Sequence, residues 1–265
     1  MSARKYWLGF NVVKGIGPVR LRALRAAFGD LEVAWGAPEP RLLAAGLDRR
    51  TVESLVQTRR TLDLDRLLDE VDAAGASVLT LDDADYPALL RELPDSPPVL
   101  YVKGTLLDDD RWAVAFVGTR RATTYGRDMA HRLVTSLVGA GITIVSGLAL
   151  GIDAEAHKAA LDAGGRTIAV LGSGIRVITP RENLSLARLI FERGAVLSEQ
   201  PPSVQPTTAT RLDVGINLKG EKVTKRLEAS GSFNSMVSHR VRVEDIKQID
   251  AELIGWLKKA YGLAG

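Results

Sequence analysis

The chain has 265 residues, 46% of them hydrophobic, which is enough for one large domain or two modest ones. It contains no cysteine, so disulfide bonds, thiol chemistry and cysteine-ligated zinc are excluded. Lysine and arginine (35) barely outnumber aspartate and glutamate (32), and a net charge of +3 is only a weak indication of a nucleic-acid partner.

Neither a metal site nor a membrane segment is expected. The three histidines stand far apart in the sequence, with no spacing typical of metal ligands. No apolar run approaches the roughly 20 residues that span a bilayer, and residues 1–7 lack the apolar core of a signal peptide. We therefore expect a cytoplasmic protein with no bound cofactor and no membrane partner.

Residues 1–75 predict a helical domain, because apolar residues recur there at three- and four-residue intervals. The predicted helices are Trp7–Val13, Arg20–Phe28, Pro40–Leu47, Arg50–Arg60 and Asp63–Ala74. Between the first two, Lys14–Pro18 (KGIGP) is similar to the turn of a helix-hairpin-helix motif, whose amides can hold a DNA phosphate. A helix-joining turn without a ligand is the interpretation that we favour.

Residues 76–110 are predicted to connect this domain to the next. Ala76–Leu81 predicts a strand, and a short helix is expected to begin at Asp85–Pro87. Proline is dense in Leu93–Pro98, which cannot continue a helix and indicates a linker or an extended crossing.

Residues 111–205 alternate short apolar strands with longer helical segments, which predicts an α/β fold with a doubly wound, Rossmann-like parallel sheet. The predicted strands are Ala113–Val117, Thr143–Ser146, Thr167–Gly172 and Ala195–Ser198, and the predicted helices are Tyr125–Ala140, Asp153–Ala163 and Glu182–Arg193. The alternation stops after four strands, so the sheet is predicted to be incomplete. Residues 206–265 predict a small α+β tail, with strands at Arg211–Leu218 and Arg240–Val243 and a helix at Ile249–Tyr261.

The residues that leave the strands are the candidates for a binding site, because ligands of open parallel sheets lie outside the carboxyl ends of the strands. Glycine occurs at three of these exits, where it allows close approach to the backbone. Two arginines follow the first exit, which indicates an anion site. The candidates from the exits are Gly118, Thr119, Arg120, Arg121, Ser146, Gly147, Gly151, Gly172 and Gly174.

Other interpretations of these exits stay open. Glycine is common in strand-to-helix turns whatever the fold binds, and neither a complete dinucleotide fingerprint nor a Walker A sequence is present. Asp153 would serve as a helix N-cap, or with His157 as a general-base pair, and Glu199 would be a carboxylate at a strand exit. With no credible triad, binding is favoured over catalysis.

Several separated segments resemble the DNA-processing protein A (DprA/Smf) family over about residues 5–205. They are LGFNVVKGIGP (8–18), DYPALLRELPDSPPVLYVKG (85–104), VGTRRATTYG (117–126), IVSGLALGIDAEAHKAAL (144–161), GRTIAVLGSGIRVITPRENLSLARLI (165–190) and GAVLSEQPP (194–202). The resemblance implies a helical, sterile-alpha-motif-like domain followed by a Rossmann-like core. It also implies a protein that binds single-stranded DNA without sequence preference, protects it in natural transformation and recombination, assists RecA loading and forms a homodimer.

By the same resemblance, Gly118, Thr119 and Arg120 match the family's phosphate-gripping turn, and Ser146, Gly147 and Gly151 match the turn beside it. The family usually has arginine where Leu150 stands, and the rest of its core does not follow Pro202. Residues 212–265 instead resemble the end of an uncharacterised bacterial domain. A nucleotide-binding module, a phosphoribohydrolase-like Rossmann enzyme and a truncated non-functional remnant are the competing hypotheses.

Overall fold

The computed structural model of the chain describes residues 2–206, 212–218, 220–229, 238–243 and 246–264. The chain divides into two compact units, residues 1–206 and 207–265. The predicted fold class, with N-terminal helices, a largely parallel sheet and a small α+β tail, is confirmed. Among the described residues, no helix combines the length and the apolar character needed to cross a membrane.

The first unit begins with six helices. They are α1 (Ser2–Val12), α2 (Pro18–Phe28), α3 (Leu31–Gly36), α4 (Glu39–Ala44), α5 (Arg49–Thr61) and α6 (Leu64–Ala73). Asp30, Asp48 and Asp63 cap three of them by accepting hydrogen bonds from backbone N–H groups of the first turn. Sequence analysis did not predict α3. In the core, Phe10 meets Trp35 edge-on, with ring centroids 5.1 Å apart.

A six-stranded sheet follows the helices. Its strands are β1 (Ser77–Thr80), β2 (Val99–Gly104), β3 (Ala113–Ala115), β4 (Thr143–Ser146), β5 (Thr167–Leu171) and β6 (Ala195–Ser198), in the spatial order β1-β2-β6-β5-β4-β3. The strands from β3 to β6 are parallel, and β1 and β2 continue the sheet as antiparallel strands beyond β6. The connecting segment, which also contains the short helix α7 (Ala88–Arg91), therefore contributes to the sheet itself.

Three helices connect the parallel strands: α8 (Thr124–Gly139), α9 (Ile152–Asp162) and α10 (Leu184–Arg193). Because the strands are adjacent in chain order and such crossovers are right-handed, these helices cover the same face. A doubly wound sheet grows in both directions from its first strand, and the described residues build one direction only. This leaves β3 outermost, with all three of its residues exposed, as expected for an incomplete sheet.

The second unit is a small α+β structure. It contains β7 (Leu212–Ile216), β8 (Leu227–Ala229), β9 (His239–Val243) and α11 (Ala251–Ala264), with the strands antiparallel in the order β7-β9-β8. Its described core includes Leu218, Leu227, Val241 and Leu253. The structure agrees with the predicted strands at β7 and β9 and with the predicted helix. Arg211, the first residue of one predicted strand, lies outside the described residues.

Candidate nucleic-acid interface

The first turn of the site, Gly118–Arg121, leaves the carboxyl end of β3; we call it the arginine turn. Its shape is fixed locally, because the Arg121 N–H donates to Thr119 Oγ1 at 3.1 Å. A Cβ at position 118 would come within 2.8 Å of the Ile152 side chain, so only glycine lets the turn lie this close to α9. The backbone of the turn is therefore held in place before any ligand arrives.

The second turn, Ser146–Gly151, leaves β4 and packs against the first; we call it the glycine turn. Gly151 has a φ of +82°, and a Cβ there would be 2.2 Å from the carbonyl oxygen of Thr119. The same oxygen accepts a hydrogen bond from the Ile152 N–H at 3.1 Å. The structure thus brings together the predicted residues of the first two strand exits.

Asn183 holds the glycine turn from the side of the next crossover, a role that sequence analysis missed. Its side-chain amide donates to the carbonyl oxygens of Leu148 at 2.9 Å and Ala149 at 3.2 Å. Asp153 completes the support, because its carboxylate accepts from the Ala149 N–H at 3.3 Å. An asparagine just before a helix is normally interpreted as a cap, so no sequence signal placed Asn183 here.

Two of the predicted site residues, Ser146 and Gly147, contact other parts of the protein and not the open side of the site. The Ser146 hydroxyl is almost fully buried and donates to the Phe116 carbonyl at 2.7 Å, which joins the ends of β3 and β4. At Gly147 a Cβ would lie 2.9 Å from a carboxylate oxygen of Asp153. Both residues shape the site without presenting a side chain to a ligand.

The third exit, Gly172–Gly174, is divided between an open end and a closed one. Gly172 is exposed, and nothing lies within 4 Å of where its Cβ would be. Gly174 is buried, and its N–H donates to the Val204 carbonyl at 2.8 Å. The Gly174 amide is therefore used to hold the segment after β6, whereas Gly172 remains accessible.

Exposed arginines follow the carboxyl ends of β3 and β5. Arg120 and Arg121 are exposed, and within the described part of the chain neither makes an ion pair. Arg176 and Arg181, which sequence analysis did not single out, are also exposed and make no ion pair with a described residue. Leu150 is 43% exposed and lies beside the arginine turn, so the rim of the site has an apolar position there.

The structure does not support Asp153 and His157 as a general-base pair. Asp153 is not the N-cap either, because α9 begins at Ile152 and Gly151 occupies that position. His157 is completely buried, with Nδ1 2.6 Å from the Thr167 hydroxyl oxygen, and burial lowers its pKa to about 4. Its imidazole is engaged with the sheet, and the Asp153 carboxylate with the glycine turn.

Two candidate features of the sequence remain, Glu199 and the turn Lys14–Pro18. Partial burial, together with the negative charge of Asp95, raises the pKa of the Glu199 carboxyl at the exit of β6. In the helix-joining turn Lys14–Pro18, the Gly15 carbonyl accepts from Arg20 at 2.6 Å, and Arg20 also reaches Thr51 at 2.8 Å. Among the described residues, no group of three acidic or histidine side chains is placed to hold a metal ion.

The two glycine-containing turns contact each other at the carboxyl ends of parallel strands, and the arginines beside them are exposed. This arrangement defines a Rossmann-like protein with a site suited to anions. The sequence profile of the family described as DNA recombination-mediator protein A matches residues 77–212, which is half of the chain. The chain belongs to this family. Residues 203–264 match DUF5655, a domain of unknown function, which confirms the resemblance of the tail to an uncharacterised domain.

Individual relatives agree with this assignment. The chain is 42% identical over 213 residues to Protein Smf of Synechocystis sp., covering 77% of this chain and 53% of that one. It is 38% identical over 177 residues to DNA processing protein DprA of Bacillus subtilis, covering 64% of this chain and 59% of that one. It is 33% identical over 247 residues to Protein Smf of Escherichia coli, covering 88% of this chain and 65% of that one. The X-ray structure of DNA processing protein A from Streptococcus pneumoniae superposes with a TM-score of 0.64 at 29% identity, covering 77% of this chain and 70% of that one. The chain thus spans between 53% and 65% of the length of these three curated relatives.

Proposed function

We propose that the chain binds single-stranded DNA without sequence preference, with phosphates held at the arginine turn and the glycine turn. The observation that carries the proposal is the pair Arg120 and Arg121, exposed and unpaired among the described residues on a turn whose backbone is fixed by Gly151. A guanidinium presents two parallel N–H groups to a phosphate, and a preorganised turn reduces the entropy lost on binding. The N-terminus of α8, which begins just after this turn, adds a favourable field for negative charge.

Tyr125 supports a single strand, rather than a duplex, as the ligand. Its side chain is 74% exposed in the first turn of α8, close in sequence to the two arginines. Unpaired bases stack on such aromatic side chains whatever their sequence, whereas a duplex keeps its base faces covered. A cationic turn beside an exposed aromatic ring is therefore suited to a flexible, unpaired strand.

Membership of the family supports a process in which this binding would act. As part of the same proposal, the chain acts in natural transformation and recombination by protecting single strands and by assisting RecA loading, as a binding protein in the cytoplasm and not as an enzyme. Homodimerisation belongs to the proposal as well. The support is family membership together with the intact arginine and glycine turns.

Arg120→Ala should weaken binding to a labelled single-stranded oligonucleotide by about ten- to a hundredfold at low salt, because a charge-assisted hydrogen bond contributes about 1.5–3 kcal/mol. The slope of log affinity against log salt should become shallower by about 0.7, as expected for one lost phosphate contact. Fluorescence anisotropy over a series of salt concentrations measures both quantities.

Arg50→Ala is the matched control, since Arg50 is an exposed arginine in the helical part of the same unit. It should leave the affinity and the salt slope unchanged. Wild-type affinity in Arg120→Ala, or an equal loss in both variants, would show that the arginine turn is not the phosphate site.

Leu150→Arg should strengthen binding, because it places a cation on the exposed rim beside the arginine turn. The affinity should rise severalfold at low salt, and the salt slope should steepen by about 0.7. Leu150→Gln, which removes the apolar side chain without adding charge, is the control in the same anisotropy assay. No gain in Leu150→Arg would mean that the bound strand does not pass over this position.

A further inference from the structure

Among the described residues, nothing pairs with the backbone groups on the outer edge of β3, which point away from the sheet. The Thr143 N–H donates to the Trp112 carbonyl at 2.9 Å, and the Phe116 N–H donates to the Val145 carbonyl at 2.8 Å. Alternation along a parallel strand then directs both backbone groups of Val114 toward β4. The N–H and C=O groups of Ala113 and Ala115 therefore face outward, and among the described residues no strand pairs with them.

We propose that this edge is where the homodimer forms, an inference that rests on the homodimerisation proposed above. It pairs antiparallel with β3 of a second copy of the chain, around a two-fold axis at Val114. In this register, Ala113 lies opposite Ala115 of the second copy, and each such pair exchanges two hydrogen bonds. The two-fold axis generates two such pairs, because Ala115 also lies opposite Ala113 of the second copy. The outward N–H and C=O groups of both alanines are then hydrogen-bonded in each strand. The two six-stranded sheets then form one continuous sheet.

The side chains on this edge are suited to such pairing. Val114 is 38% exposed and faces its own counterpart at the axis, where side chains approach closely. Trp112, which is 61% exposed, lies on the same side of the strand and faces Phe116 of the second copy. Pairing therefore removes two apolar side chains per copy from water.

Charge along the edge selects the antiparallel orientation and a second copy as the occupant. Asp108 and Asp109 are exposed before the strand, and Arg120 and Arg121 are exposed after it. Among the described residues, none of the four makes an ion pair. Asp108 and Arg120 lie at equal sequence distances from Val114, so antiparallel pairing brings the acidic end of each copy to the basic end of the other, whereas parallel pairing would juxtapose like charges. A second copy supplies both complementary ends at once.

Engineered cysteines test the register directly, because the chain has none of its own. At the two-fold axis the Cα atoms of a non-hydrogen-bonded pair are about 4.5 Å apart, which a disulfide can bridge. Mild oxidation of Val114→Cys should therefore convert most of the full-length protein to a cross-linked dimer on a non-reducing gel.

The matched controls use the neighbouring positions. Ala113→Cys alone should cross-link poorly, because Ala113 lies opposite Ala115 and not opposite itself. A mixture of Ala113→Cys and Ala115→Cys chains should cross-link well as a heterodimer. Equal cross-linking of Val114→Cys and Ala113→Cys, or none in Val114→Cys, would overturn the proposal.

Sedimentation velocity tests the association of the unmodified chain. A dimer should form as concentration rises in the absence of DNA, and Ala115→Pro should raise its dissociation constant by about tenfold or more. Proline at this position removes an outward N–H group, and with it two of the four hydrogen bonds, while the bonds between β3 and β4 remain. A wild-type monomer at every concentration would contradict both homodimerisation and pairing at this edge. A dimer that Ala115→Pro does not weaken would contradict pairing at this edge alone.

Discussion

Gly151→Ala should lower the free energy of unfolding of the first unit by about 2–5 kcal/mol and abolish measurable binding to single-stranded DNA. The added Cβ would lie 2.2 Å from the Thr119 carbonyl oxygen, a contact that neither backbone can accommodate without moving. The left-handed φ of +82° costs a further ~1–2 kcal/mol for any residue with a Cβ, and overpacking of this kind costs about 1–3 kcal/mol. Urea unfolding followed by far-UV circular dichroism measures the first effect, and anisotropy measures the second.

Gly141→Ala separates the two causes. Gly141 has a similar φ of +77°, but no atom of a described residue lies within 4 Å of where its Cβ would be. This variant should lose only the backbone contribution of about 1–2 kcal/mol and should bind DNA as the wild type does. If Gly151→Ala behaved like Gly141→Ala in both assays, the arginine and glycine turns would not depend on each other as the structure indicates.

The position of the site could be predicted from the sequence because it depends on local signals. Short apolar runs mark buried parallel strands, and the residues after each run must lie at the same edge of the sheet. Gly118–Arg121 and Gly151 could therefore be assigned to one crevice, and the structure brings them into contact. Which of these residues contact DNA stays a prediction.

The direction in which side chains and amides point could not be predicted in this way. Ser146 and Gly174 lie at strand exits, like the other candidates, yet their polar groups are bonded to Phe116 and Val204 within the protein. These contacts join segments far apart in the chain. Asn183 was missed for the same reason, since its bonds reach back more than thirty residues to the glycine turn. Spacing along the sequence carries no information about such contacts.

The extent of the sheet was only partly predictable. Its incompleteness could be predicted, because the alternation of strands and helices stops after Ser198. The addition of β1 and β2 beyond β6 was not predicted, since a strand such as Val99–Gly104, directly after a proline-dense segment, gives no indication of which strand it pairs with. The helices α1 and α6 contact β2 and β1, and such contacts between distant segments leave no local signal in the sequence.

Mild acid should destabilise the first unit through His157, which is the second large effect that we expect. Burial lowers its pKa in the folded protein from 6.5 to about 4, so the unfolded chain binds the proton more tightly. The stabilisation of the neutral form is complete above the unfolded pKa and is lost as the pH falls from about 6.5 toward 4. The loss should reach about 1.4 kcal/mol by pH 5.5 and about 3 kcal/mol near pH 4.

The hydrogen bonds around His157 show why the charged form is disfavoured. The Thr167 hydroxyl donates to the Ile144 carbonyl at 2.8 Å, so it accepts from the protonated Nδ1 of His157. A second proton would therefore have to bind Nε2, which is buried and has no partner among the described residues. Protonation places an unsatisfied charge between α9 and the sheet.

Urea unfolding at pH 7.5, 6.5 and 5.5 tests this prediction above the range in which most carboxylates titrate. His157→Leu should be less stable than the wild type at pH 7.5, because it loses the bond to Thr167, but its stability should change little down to pH 5.5. His131→Gln, which removes an exposed histidine, should retain the pH dependence of the wild type. Parallel pH profiles for the wild type and His157→Leu would assign the acid sensitivity to another group. A pH profile that flattens only in His157→Leu would assign the acid sensitivity to the His157 imidazole, which is buried between α9 and the sheet.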